Sequence, residues 1–362
     1  MLENILLLIL DGVAIGCIYA LIALGYTMVY GIIKLINFAH GEFYMAGAYV
    51  GFGVLVAFAG VQLGLPAPYN AVAVFALAML AAALAAGVLA VVVEKLAYKP
   101  LRRASRIAAL LTALGVSLFL QNAALKAFTP NTRAFHPPIT DRRYPRTEVP
   151  QNSVYPGAVL SRDVYWTDAQ GAEEWIGGAG APVLKEDYDR AVLAEARFYS
   201  YPAVTVRTKQ IVIWGSVLVL TVGLTLLVKF TKIGKAMRAV SYDFETAELM
   251  GINVNRVISF TFFIGAMLAG AAGVLVGSYY GAIKPTMGVM YGLKAFVAAV
   301  IGGIGSIGGA VLGGIALGVA ESIVKISPRT APFQDALSFA ILIVILVFMP
   351  RGFFGAEERE KI

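Results

Sequence analysis

Apolar runs of membrane-spanning length recur along this chain, and nothing else in it limits the fold as severely. They lie between Asp11 and Lys34, from Phe43 to Gly60, Ala71 to Val93, Ile107 to Leu125, Ile211 to Val228, Val257 to Ile283, Ala295 to Ala320 and Asp335 to Met349. In hydrocarbon each backbone N–H and C=O must be satisfied within the protein, so such runs form helices. With 59% hydrophobic and 14% charged residues, a soluble core is excluded. The expected fold is an all-α polytopic membrane protein of about 8–9 transmembrane helices, with broken or re-entrant segments and one extracytoplasmic insert.

The net charge of +7 would suggest a nucleic-acid partner in a soluble protein. Here the cations concentrate in two short loops between apolar runs, 94–106 and 229–256, which marks those loops as cytoplasmic and removes nucleic acid as a partner. The lone Cys17 and the two histidines, His40 and His136, exclude a disulfide framework and a Cys/His metal site. Three regions follow: an N-terminal membrane half of about four spans, 1–128; an insert, 129–209; and a C-terminal membrane half, 210–362, that contains the loop 229–256. The first run has no basic n-region or short cleavable core and is read as a retained span.

The insert departs from the rest in composition. It holds eight prolines, nearly balanced charges and the aromatics Tyr155, Tyr165, Trp166, Trp175, Tyr188, Phe198, Tyr199 and Tyr201. Its length argues against a structureless loop, and the aromatics suit either a small packed unit or anchors at the headgroup level.

Two stretches carry the candidate path. After Lys34, Asn37, His40 and Glu42 interrupt apolar sequence. Ionisable groups at membrane depth are costly and face a partner or an aqueous path, whereas the same residues in a turn at the interface would be hydrated; both readings stand. His40 and Glu42, two apart, do not share a helix face, so a metal site is not expected. The run Ala295–Ala320 contains Gly302, Gly303, Gly305, Gly308 and Gly309 around Ser306. As one helix it would be about 39 Å long, beyond the roughly 30 Å of hydrocarbon, so two segments broken at Gly302 to Gly309 are expected, with the break close to the substrate path. Glycines at 305, 309, 313, 314 and 318 suit close helix crossings. Gly303, Gly305 and Gly308 have dinucleotide spacing without its flanking strand and helix; no Gly-Lys-Ser/Thr follows, and Ser306 has no histidine base. No catalytic residue and no cofactor is expected.

Within 229–256, Asp243 is placed to cap a helix Phe244–Met250, Glu245 lies in its first turn, and Gly251 ends it in a left-handed residue with Ile252 returning to Ala247. A helix of two turns is marginal in water and must dock on something.

Residues in three of these places resemble one family. The stretches GYTMVYGIIKLINFAHGEFYMAGAY, EKLAYKPLRRASR and KAFVAAVIGGIGSIGGAVLGG look like the signatures of LivH-type permeases of branched-chain amino-acid ABC importers. Glu245-Thr246-Ala247 followed by Gly251 resembles the cytoplasmic EAA loop of importer permeases, although Thr246 stands where Ala is usual and the closing Ile and Leu-Pro are missing. The likeness covers 11–128 and 205–350, and family permeases have a much shorter loop at the insert. It implies a transport subunit in the bacterial inner membrane, with a cytoplasmic C-terminus and no ATPase motif of its own. The implied partners are a second homologous permease, two cytosolic ATPase subunits that bind ATP, and an extracytoplasmic solute-binding protein. Asp243, Glu245, Ala247 and Gly251 would couple to an ATPase, and Asn37, His40, Glu42, Gly305 and Ser306 would border the path. A urea or short-amide importer shares these signatures. A self-sufficient secondary transporter would carry more buried charge than Glu42, Lys294 and Glu321.

Overall fold

The computed structural model describes residues 2–34, 37–101, 105–150, 153–160, 163–167, 173–177, 182–194, 196–202 and 204–355. Arg102 and Arg103 of the first basic loop and the charged tail Glu357 to Lys361 lie outside the described residues. The chain divides into two compact units, Met1–Leu10 with Ile139–Val212, and Asp11–Pro138 with Ile213–Ile362.

Nine apolar helices form the membrane part among the described residues: α1 (Leu2–Ile33), α2 (His40–Ala57), α3 (Ala67–Val93), α4 (Arg106–Phe128), α6 (Thr208–Phe230), α9 (Val254–Tyr280), α10 (Met287–Gly302), α11 (Ile307–Val324) and α12 (Gln334–Phe348). Seven are long and apolar enough to cross a membrane. The other two are α2, whose first turn holds His40 and Glu42, and the 16-residue α10. α9 is the central helix, 72% buried over its most apolar window, whereas α12 is 11% buried and leaves its Ile, Leu and Val side chains for lipid.

Small residues bring these helices together, as packing in lipid requires. A Cβ at Gly47 of α2 would overlap the backbone of Gly270 in α9, one at Gly273 would overlap Tyr44 and Ala48, and Gly270 itself abuts Ala82 and Ala86 of α3. α1 meets α11 in the same way, Gly12 and Gly16 against Gly318 and Gly314. Glycines 309, 313, 314 and 318 thus sit at close crossings as expected. Gly305 does not: space is open around it, and it serves a turn at φ +103°.

The run Ala295–Ala320 is indeed two helices. α10 ends at Gly302, Gly303 takes φ +90°, and α11 begins at Ile307. Gly302 and Gly309 face each other across this turn so closely that a side chain on either would meet the other's backbone. The chain beyond α12 returns here: Phe353 N donates to Ile301 O at 2.9 Å and Phe354 N to Gly302 O at 3.2 Å, capping two of the orphan carbonyls at the end of α10.

The insert is a packed unit. Strands β3 (Thr147–Val149), β6 (Arg197–Ser200), β4 (Val164–Thr167) and β5 (Glu173–Gly177) form an antiparallel sheet in that order, with α5 (Lys185–Leu193) as its helix. Trp166 and Phe198 join Val154, Leu160, Val164, Ile176 and Val183 in its core, while Tyr155 and Trp175 stay exposed. Burial and the hydrogen bond to Glu173 hold the Tyr201 phenol above its ordinary range. Among the described residues four two-residue strands complete the β structure: β1 (Arg133–Ala134) pairs with β8 (Ala282–Ile283), and β2 (Arg143–Tyr144) with β7 (Val206–Arg207).

Candidate functional site

The polar loop after α6 folds into two short helices. Thr231 Oγ1 accepts from Gly234 N at 3.1 Å and starts α7 (Lys232–Tyr242), an amphipathic helix absent from the sequence reading, which buries Gly234, Met237 and Val240. Arg238 Nη1 donates to Val228 O at 2.8 Å, satisfying a carbonyl in the last turn of α6. The second helix, α8 (Phe244–Leu249), has the expected caps. Asp243 Oδ1 accepts from Thr246 N at 3.0 Å, and Glu245 lies in the first turn. At the other end Ile252 N donates to Ala247 O and Gly251 N to Glu248 O, both at 3.0 Å, with Gly251 at φ +81°. Those paired bonds are the Schellman arrangement. Ala247 is buried against the protein, whereas Tyr242, Leu249 and Met250 are 86%, 87% and 78% exposed, a large apolar surface on a helix too short to stand alone.

The second site lies among the apolar helices. Asn37, His40 and Glu42 are 3%, 1% and 1% exposed, so the reading of a hydrated interfacial turn is wrong. The physical reason is depth. His40 packs onto Gly25 of α1, which itself packs against Gly265 of α9. Gly25 lies eight residues before the end of α1 and Gly265 eleven after the start of α9, or about 12 and 17 Å at 1.5 Å per residue. Ser117, whose hydroxyl donates to Glu42 Oε1 at 3.1 Å, is at the middle of α4. α2 therefore starts about 12 to 17 Å inside the ends of α1 and α9.

Each residue there has a defined place. Asn37 Oδ1 accepts from Ala39 N at 3.1 Å and from the Tyr98 hydroxyl at 2.6 Å, tying the entering strand to the helical extension of α3. The His40 ring lies 4.7 Å from Tyr26 and 6.0 Å from Phe43, centroid to centroid. Gly41 admits the backbones of Gly288 and Gly292 of α10. Three polar atoms remain without a protein partner, Asn37 Nδ2, His40 Nε2 and Glu42 Oε2, joined by the hydroxyls of Thr27 and Tyr44. Buried polar groups are normally satisfied, so each of these open atoms calls for a partner beyond the protein's own side chains.

Gly305 and Ser306 are not part of this cluster. Their turn is beside Gly31, six residues beyond Gly25 on α1, hence about 9 Å further toward that helix's end. Ser306 caps α11, its Oγ accepting from Gly309 N at 3.1 Å.

A buried ionic group also emerges that the sequence suggested only as isolated charges. Lys294 Nζ of α10 is 2.9 Å from Glu321 Oε1 of α11 and 2.7 Å from Asp335 Oδ1 of α12. Glu321 also accepts from the Tyr19 hydroxyl at 2.9 Å and from Ser338. Two oppositely charged residues, each in an otherwise apolar helix, were the available signal; their pairing needed the α10–α11 turn.

Comparison with known proteins now gives the family. The model of the branched-chain amino acid transport system permease component matches residues 8–346. The chain is 38% identical over 352 residues to the high-affinity branched-chain amino acid transport permease LivH of Salmonella typhimurium, covering 97% of this chain and 96% of the relative. It is 37% identical to LivH of Escherichia coli K12 over the same shares, and 36% identical to BraD of Pseudomonas aeruginosa over 98% of this chain and 97% of the relative. The chain belongs to the branched-chain amino acid permease family. No solved structure matches this permease. The bounds of these matches enclose the insert together with both membrane halves. Among the described residues the permease has no group of three or more His, Cys, Asp or Glu able to hold a metal ion.

Proposed function

We propose that this permease subunit carries branched-chain or other hydrophobic amino acids across the bacterial inner membrane, driven by two cytosolic ATPase subunits on which ATP binds. A second homologous permease completes the path, and an extracytoplasmic binding protein delivers the substrate. The observation that carries this reading is the buried set Asn37, His40 and Glu42, in which Glu42 is held between Ser117 of α4 and Gly288 of α10 with one oxygen open. The unpaired Glu42 Oε2 suits a substrate ammonium group, which amino acids have and urea lacks. On the cytosolic side, Asp243, Glu245, Ala247 and Gly251 set the helix whose exposed Leu249 and Met250 would seat in an ATPase cleft. The chain performs no chemistry itself.

Glu42→Gln tests the assignment because it keeps the side chain's shape and its bond to Ser117. ATP-driven leucine uptake by the reconstituted complex should fall at least about tenfold, a loss of roughly 1.4 kcal/mol of ammonium recognition, with unchanged insertion into the membrane. Undiminished uptake would remove Glu42 from the path, and faster uptake of urea than of leucine by the wild-type complex would replace the substrate class.

A further inference from the structure

A cleft of about 510 Å³ opens at the ends of α3 and α9, lined by Val91, Lys95, Lys99, Asn253, Asn255, Arg256, Ser259, Phe260 and Phe263. Its two walls follow from local structure. At residue 94 α3 loosens into a π-helical turn, Glu94–Tyr98, followed by a 3₁₀ turn, Lys99–Leu101, and π turns of this kind often mark functional sites. Val91, Lys95 and Lys99 come into line at intervals of four. On α9, Arg256, Ser259, Phe260 and Phe263 share one face at helical spacing. Glu94, the acid on the same turn, is fully buried and accepts the Ser259 hydroxyl at 2.6 Å. The mouth of the cleft is thus cationic, while Val91, Phe260 and Phe263, each further from its helix end than the cations on the same helix, make its deeper part apolar.

We propose that this cleft binds an anionic phospholipid, its phosphate held by Lys95, Lys99 and Arg256 with Asn253 and Asn255, and its acyl chains laid against Val91, Phe260 and Phe263. Charge complementarity and position single out that occupant. A soluble phosphate would use the cations but leave the aromatic wall bare, and a cytosolic protein reaches the cations but not residues within the span. Basic pockets between helices at a membrane surface are recognised sites for acidic lipid headgroups. Because Asn253 also caps α9 directly after α8, an occupied cleft braces the loop that bears the coupling helix.

The test uses the full-length permease, delipidated in detergent and titrated with fluorescent phosphatidylglycerol, with fluorescent phosphatidylcholine as the neutral control. Phosphatidylglycerol should bind in preference. Lys95→Gln, Lys99→Gln and Arg256→Gln should each weaken it by roughly fivefold without changing thermal unfolding, since the three side chains are exposed. Inorganic phosphate at millimolar concentration should not displace it. Displacement by phosphate alone would make the site one for soluble anions. Equal binding of both lipids, or unaltered binding by the three variants, would overturn the proposal, and loss of ATPase association in the same variants with lipid binding intact would assign the surface to the ATPase.

Discussion

At the residue scale, the few charges within apolar helices decide most. Lys294 is surrounded by Glu321, Asp335 and, at 5.8 Å from its ring centre, Tyr19. Removing one partner of a buried pair leaves the other uncompensated, which costs about 3–5 kcal/mol. The two partners should not respond alike. Lys294→Met leaves the buried Glu321 carboxylate without a cation and should cost the full amount. Glu321→Gln leaves Lys294 paired with the half-exposed Asp335, and the new amide oxygen can still accept from Lys294 and Ser338, so its loss should be less than half as large. Thermal unfolding in detergent measures both, and equal losses would show that Asp335 does not share the charge. Glu42 differs from Glu321 in having one oxygen still free. That difference separates a residue that fastens helices from one that can meet a substrate.

At the element scale, what could be read in advance was what local chemistry controls. The α8 caps were legible because Asp243, Glu245 and Gly251 act within a few residues of each other, and the α10–α11 break because glycine at positive φ and an overlong apolar run point the same way. α7 was missed because its amphipathic pattern lies in a segment too cationic to look like a helix with a buried face. The depth of His40 was beyond sequence reasoning altogether: it depends on Gly25, Gly41 and Gly265 admitting a second chain, and a glycine in an apolar run does not declare what approaches it. Gly251 allows a separate test of α8. No atom lies near a Cβ placed there, so substitution acts through backbone conformation alone. Gly251→Val should cost about 1–2 kcal/mol in a left-handed position, unseat the α8 cap and abolish ATP-driven uptake while leaving insertion intact. Gly251→Asn, which tolerates that conformation, should keep most of the activity. Uptake by the valine variant equal to wild type would detach α8 from coupling.

For the whole molecule, the order of helices fixes the sides once one loop is placed. With the basic loops 94–106 and 229–256 in the cytoplasm, α4 and α9 both run outward, and the pairing of β1 after α4 with β8 after α9 agrees with that parity. The insert between α4 and α6 would then be outside, with α10 running inward, α11 outward and α12 inward. The return of Phe353 and Phe354 brings the ends of α10 and α12 together, as a scheme of nine segments expects. Counting back through α3 and α2, the same scheme would start α1 outside. In this scheme Ser153 in the insert and Ser105 before α4, both exposed, are expected on opposite faces of the membrane. A cysteine at 153 should react with a membrane-impermeant maleimide in intact spheroplasts and one at 105 only after lysis, against a background in which the native Cys17 is buried. A reporter active only in the cytoplasm, fused after Lys361, should be active in the same cells. An inactive fusion alongside the expected cysteine pattern would mean that α10 and α11 do not both cross, and reversed labelling at 153 and 105 would invert every helix in the scheme.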